Sequence, residues 1–158
     1  MHPTAPFAAR QVDGLPDPER DAQFYDGVPM RRFIAWLFDL VFVGLITLGV
    51  LVAFTLPSLG LVFLASFLIW AAVDFIYRAA TLARASATPG MRIMGIELRA
   101  GDGGRLDATT AILHTLLYYL CFGFVLVQIV NIALMLASAQ GRSLPDLALG
   151  TAMINRPI

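Results

Sequence analysis

Six residues of this chain have the types and spacing to do chemistry: Arg32, Asp39, Asp74, Arg78, His114 and Asp146. Arg32 and Asp39 stand seven residues apart at the head of a long apolar run. That is about two helical turns and about 10 Å of rise, so both project from one helix face. A carboxylate held at such a depth in hydrocarbon costs roughly 2.5–3.5 kcal/mol, and it requires a wet cavity or a charged partner. Asp74 and Arg78 lie four residues apart on a second apolar run, in the acid-before-base order that favours pairing along a helix. Buried carboxylates beside arginines can hold a cation or a proton and surrender it to the arginine, or they can simply pin helices together. His114 sits in a third apolar run, and histidine is the side chain best suited to proton exchange near neutrality.

The elements that carry these residues are membrane elements by composition. Hydrophobic residues make up 58% of the 158 and charged residues only 14%, too apolar a balance for a soluble domain of this size. Formal net charge is zero and all eleven basic residues are arginine, so the total charge gives no reason to expect a nucleic-acid partner. Cys121 is the only cysteine and lies among apolar residues, which leaves no disulfide framework or thiolate metal site and makes it a small hydrophobe. His2 and His114 are the only histidines and stand far apart, so no metal and no cofactor is expected. Nor do the residues supply a nucleophile, base and orienting group together, so an enzyme is not expected.

Residues 1–28 mix prolines and acidic residues without an apolar core, which predicts a flexible cytoplasmic arm and no secretory signal. Residues 29–158 then form one membrane domain. Its first helix is expected over about 33–56, about 36 Å long, and its second over 59–77, about 28 Å, each enough for ~30 Å of hydrocarbon. Pro57-Ser58 makes the turn between them. Arg31 and Arg32 precede this hairpin, and Arg78, Arg84, Arg92, Arg99 and Arg105 come after it, while its turn is uncharged. The positive-inside rule therefore puts both flanks, and the N-terminus, in the cytoplasm of a multi-pass protein in the cell membrane. Folding the hairpin about Pro57-Ser58 brings Asp74 level with residue 41 and Arg78 level with residue 37, both within about one turn of Asp39.

A cytoplasmic connector, 78–107, contains Arg92 to Arg99 and then Gly101-Asp102-Gly103-Gly104, a pattern that predicts a strand and a small cytoplasmic β-hairpin. The glycines do not make a phosphate loop, because no Lys-Ser/Thr pair comes after them. The last apolar segment, 108–139, is about 48 Å long as one helix, longer than a single span needs. One crossing would put Arg142 and Arg156 outside, whereas a fold-back near Cys121-Phe122-Gly123 returns them to the cytoplasm. A fold-back pair of about 14 and 16 residues is therefore favoured, with the single span as the alternative. In an unbroken helix His114, Tyr118, Cys121, Gln128 and Asn131 share one arc, a polar seam of the kind that hydrogen-bonds between helices. The tail, 152–154, would add an edge strand to the hairpin. The fold class is thus an all-α membrane protein with a small β element.

Three separated segments carry a resemblance: Arg32-x-x-Ala35-x-x-x-Asp39, then Ala87-Thr88-Pro89-Gly90-x-Arg92-x-x-Gly95 with its Asp102-Gly103 turn, then Asp146-x-x-x-Gly150-Thr151. In order and spacing these resemble the RDD family of small integral membrane proteins over residues 24–155. The resemblance implies that Arg32, Asp39 and Asp146 are the arginine and two aspartates of the family's name, and that transport is the role to expect. Pro145 stands where the family usually has a histidine, and His114 where an arginine is common. Two functions are therefore expected. One is ion- or proton-coupled transport by an oligomer, with Asp39 and Asp74 holding a small cation or proton that Arg32 or Arg78 displaces. The other is a non-catalytic accessory or assembly protein in the lipid bilayer, whose charges fix helix packing and whose cytoplasmic part docks a membrane partner.

Overall fold

The computed structural model describes residues 14–156. Gly27, in the left-handed region at φ +67°, precedes helix α1 (Val28–Thr55), and Pro29 opens its first turn, where the missing N–H is no loss. The chain turns at Pro57 to Gly60 and passes through a 3-10 stretch, Leu61–Ala65, into α2 (Ser66–Ala85). The second helix thus runs eight residues beyond the boundary expected at Tyr77, and Arg78 lies inside it rather than in the connector. Two helical stretches, Ala22–Thr55 and Leu61–Ala85, are long and apolar enough to cross a bilayer.

Ser86 closes α2 at φ +52°, and its carbonyl and hydroxyl then accept from the amides of Leu98 (2.7 Å) and Leu106 (2.8 Å), tying both ends of the connector to one residue. Thr88 caps the short helix α3 (Pro89–Ile93), which leads to strand β1 (Ile96–Arg99). The β-hairpin expected at 92–106 does not form. The turn at Ala100 to Gly104 is present, but Asp107 caps the next helix by accepting from Thr110 N at 2.8 Å, so the turn leads into no second strand. The partner of β1 is instead β2 (Ala152–Asn155), antiparallel, with Ile96 opposite Asn155 and Arg99 opposite Ala152.

The last apolar segment breaks. Helices α4 (Ala108–Gly123) and α5 (Val125–Ala137) meet at the extended residue Phe124 and are bent by 117°. Gly141, just past α5, lies against Pro29 at the start of α1, so the pair begins and ends at one end of the bundle. Ser143 then caps α6 (Leu144–Leu149), with Gly150 at φ +67° ending it and releasing the chain into β2. The buried apolar core sits at this same end, where Val28, Ala35, Leu82, Ile96, Leu98, Leu106, Ala111 and Met153 meet. Farther along the helices, Leu45, Leu48, Val52, Leu64 and Phe67 are exposed, as expected of surface that faces acyl chains.

Residues 14–27 differ from the solvated arm that their composition predicts. Tyr25 is buried against Ala152 and Ile154, its hydroxyl donates to Pro16 O at 2.8 Å, and Asn155 Nδ2 donates to the carbonyls of Gln23 and Asp26. One buried aromatic and a set of backbone acceptors suffice to hold an otherwise polar segment on the sheet. The rest of the expected arm, residues 1–13, lies outside the described residues.

Candidate functional site

Asp146 is fully buried, and both oxygens of its carboxylate are filled. Oδ2 accepts from Arg32 Nη1 at 2.6 Å, Ser143 N at 2.9 Å and Ser143 Oγ at 2.7 Å; Oδ1 accepts from His114 Nε2 at 2.9 Å and Thr151 Oγ1 at 3.1 Å. Arg32 also donates from Nη1 to Gly141 O at 3.0 Å and from Nη2 to Ser143 Oγ at 3.2 Å. Ser143-x-x-Asp146 is a capping box, so the carboxylate also secures the first turn of α6. Burial by itself would raise the pKa of Asp146, but the Arg32 guanidinium and the hydrogen bond from His114 outweigh it and hold the carboxyl well below the usual range.

A second cluster forms where α1, α2, α3 and α4 meet. Arg78 Nε donates to both oxygens of Asp74, at 2.9 and 3.1 Å, and Arg78 Nη1 lies 3.8 Å from Asp39 Oδ2. The depth relation expected from folding the hairpin therefore places these three side chains together. Asp39 accepts from Tyr77 Oη at 2.7 Å, Thr88 Oγ1 at 2.6 Å and Gly90 N at 2.9 Å, while Tyr119 Oη donates to Asp74 at 2.7 Å. The guanidinium stacks over the ring of Tyr118, 4.7 Å from its centroid, and Trp36 Nε1 donates to the hydroxyl of that same tyrosine.

Gly90 fits because it has no side chain: a Cβ there would stand 2.2 Å from Ala35 O and 2.7 Å from Asp39 Oδ1. The approach of α3 to α1 is what delivers the backbone amide to the carboxylate.

The six residues singled out from the sequence thus fall into two clusters: Arg32, His114 and Asp146, then Arg78, Asp39 and Asp74. Arg32 and Asp39 share a helix but, among the described residues, no hydrogen-bond partner, so the single charge network expected of Arg32, Asp39 and Asp146, with Asp74 and Arg78 as its second layer, divides in two. Both clusters reach the wall of one cavity of about 290 Å³, to which Arg32, His114, Asp39 and Arg78 contribute beside Phe33, Trp36, Phe122, Ile132 and Met135. The polar seam expected along an unbroken helix is split by Phe124. His114 and Tyr118 line the cavity from α4, while Gln128 and Asn131 line it from α5.

Tyr77, Thr88, Gly90, Tyr119, Ser143 and Thr151 complete the clusters, and sequence reasoning had not given them roles. Thr88, Gly90 and Thr151 stand in the segments that carry the resemblance, and Ser143 starts a capping box three residues before Asp146 as Thr88-Pro89 starts a helix. Nothing local marks Tyr77 as reaching a residue 38 positions away.

Outside the helices, buried Glu97 on β1 pairs with Arg99, and with Arg156 at 3.2 Å.

No curated protein and no solved structure matches this chain. A family model does, over residues 27–150, a span that takes in all six of these residues and both apolar helices, as fits an integral membrane protein: the chain belongs to the RDD family.

Proposed function

We propose that this protein is a non-enzymatic, multi-pass membrane domain that works as an oligomer in ion- or proton-coupled transport, with the Arg/Asp clusters as its working parts. The observation that carries this reading is the cavity of about 290 Å³ between the helices, with Asp39, Arg78, Arg32 and His114 all on its wall. Intramembrane ionisable residues around a cavity mark ion and proton pathways, and broken helices commonly shelter such sites. The arginines pair with the carboxylates, so a cation that enters has to compete with them. A single chain offers two full-length apolar helices and one bent pair, too little wall for a complete pathway, which is the reason for an oligomer. The arginine distribution places the N-terminus, the sheet and the C-terminus on the cytoplasmic side of the cell membrane. Reporter fusions at Asn155 test this placement; reporter activity typical of the periplasm would refute it.

The decisive experiment is reconstitution of purified protein into proteoliposomes containing a pH dye. The reading expects cation-dependent proton flux that Asp39→Asn abolishes. Silence across a panel of monovalent and divalent cations would reject cation-coupled exchange at Asp39. One observation favours the second reading, a non-catalytic accessory or assembly protein with a membrane partner: each of the three buried aspartates already has its oxygens filled by protein donors.

A further inference from the structure

We propose that the cavity receives a small organic anion, an acceptor-only head such as a carboxylate on an apolar body, and that the terminal nitrogens of Arg78 hold the head while a proton enters with it. This rests on reading the cavity as the working chamber and names its substrate class.

Around Arg78 the acceptors are filled while donors stay open, although the cavity wall as a whole also carries acceptors such as His114 Nδ1. The carboxylate oxygens of Asp39 and Asp74 are taken up by Tyr77, Thr88, Gly90, Tyr119 and Arg78 Nε. What is left over around Arg78 is donors. Arg78 is 8% exposed, yet among the described residues neither of its terminal nitrogens has a hydrogen-bond acceptor, the nearest carboxylate oxygen standing 3.8 Å from Nη1. Asn131 Oδ1 accepts from Leu144 N and Gln128 Oε1 accepts from Asn131 Nδ2, so the Gln128 amide also presents an unfilled N–H to this space.

A guanidinium whose terminal N–H groups open onto a cavity is geometrically suited to a carboxylate fork. The stack on Tyr118 and the bond from Nε to Asp74 fix the plane of the guanidinium, so the two terminal nitrogens are held ready. Phe33, Trp36, Phe122, Ile132 and Met135 supply an apolar wall for the rest of the molecule. About 290 Å³ is at the small end of ligand pockets, which suits a short-chain acid better than a phospholipid.

The charge count requires the proton. Arg78 serves both Asp39 and Asp74, so this cluster carries one excess negative charge, and an anion adds a second in a low-dielectric site. The charged and titratable groups on the cavity wall beside Arg78 are Arg32 and Asp39 from α1 and His114 and Tyr118 from α4, with Asp74 and Tyr77 from α2, Tyr119 from α4 and Asp146 from α6 bonded behind them. Arg32 is matched by Asp146 and offers no spare charge. Uptake of one proton with the anion restores the starting balance.

Trp36 lines the cavity and reports on it once Trp70, outside the cavity wall, is replaced by phenylalanine. The protein in uncharged detergent is titrated with octanoate, octanol, octylamine and inorganic phosphate, and with phosphatidylglycerol in mixed micelles, at pH 8 and pH 6. Saturable quenching by octanoate but not by octanol or octylamine is expected, tightening at least tenfold from pH 8 to pH 6. Saturation by phosphatidylglycerol alone would keep the anion chemistry and assign its source to the bilayer, and saturation by phosphate alone would assign it to a free ion. Equal response to octanoate and octylamine overturns the proposal, and pH-independent binding overturns the proton.

Arg78→Lys keeps the charge and loses the fork; it should weaken octanoate at least tenfold. If it fails to fold, Arg78→Gln with Asp74→Asn removes both charges and should also abolish binding. Unchanged binding in either folded variant sinks the assignment. Octanoate binding without ion flux would defeat coupled transport alone, and flux without octanoate binding would defeat this inference alone.

Discussion

The two arginine clusters are built from the same residue types and finished differently. Around Arg32 the terminal nitrogens have acceptors: Nη1 and Nη2 reach Asp146, Gly141 and Ser143, while Asp146 takes five hydrogen bonds in return. Around Arg78 the carboxylates are filled but the guanidinium is not. A closed cluster fixes the joint between α1, α4 and α6, and an open one keeps hydrogen-bonding capacity for something that arrives later. The difference is between a cluster whose guanidinium is matched and one whose guanidinium stays open, although both lie on one cavity wall.

The largest effect should come from opening the closed cluster. Asp146→Asn leaves the partly buried Arg32 without its counter-ion and weakens the cap of α6; removing one partner of a fully buried pair costs about 3–5 kcal/mol, and the partial exposure of Arg32 puts this change toward the lower end. Thermal unfolding in detergent should fall accordingly, and a loss within ~0.5 kcal/mol would mean that the cluster fastens nothing. Next, Arg78→Gln strands two carboxylates. Adding Asp74→Asn should recover part of that loss, with a coupling of about 0.5–3 kcal/mol in a double-mutant cycle. Strict additivity of those two changes would break the picture of a shared guanidinium. Gly90→Ala inserts a methyl between Ala35 O and the Asp39 carboxylate and should cost about 1–3 kcal/mol, read in the same melts. An unchanged melting temperature would show that α3 has room to move off α1.

Smaller is the coupling between the clusters. Arg32→Gln and Asp39→Asn share no hydrogen-bond partner and should add to within about 0.5 kcal/mol, although their spacing in the sequence suggests one network. A coupling well above that would merge the two clusters into one.

Smallest is an effect of pH. The pKa of Asp146 is lowered in the folded state, so its contribution is complete above the ordinary value of 3.8 and is lost only as pH falls below it. The gap in melting temperature between the wild type and Asp146→Asn should not shrink from pH 8 to pH 5. A gap that closes by pH 5 would show that the cluster does not hold this carboxyl ionised.

Legibility in the sequence depended on whether one geometric constant governed the feature. Depth along a helix is set by the rise per residue, so Asp39, Asp74 and Arg78 could be put at one level from a turn at Pro57-Ser58. The arginines gave a reason to expect the last apolar segment to fold back, and the 117° bend with the return of the chain to Pro29 has that geometry. Rotation about a helix axis has no such constant once tertiary partners act, and it separated Arg32 from Asp39. The expected hairpin is absent because the glycines of 101–104 encode a turn and leave the next element open; Asp107, accepting from Thr110 N, decided for a helix. The packing of residues 14–27 turned on Tyr25, whose burial depends on a strand more than 120 residues later.

The tie between Arg32 and Asp146 joins positions 114 residues apart, and this has a consequence for how the chain is made. At about 5–20 residues per second, roughly 6–23 s of synthesis separate the two. Throughout that interval α1 can sit in the bilayer while its guanidinium has only water and headgroups for company. Strand β2, which closes the sheet on β1, also comes last. The early helices therefore wait, unfastened, for the end of the message, and a chain that stops before Asp146 keeps Arg32 without its counter-ion.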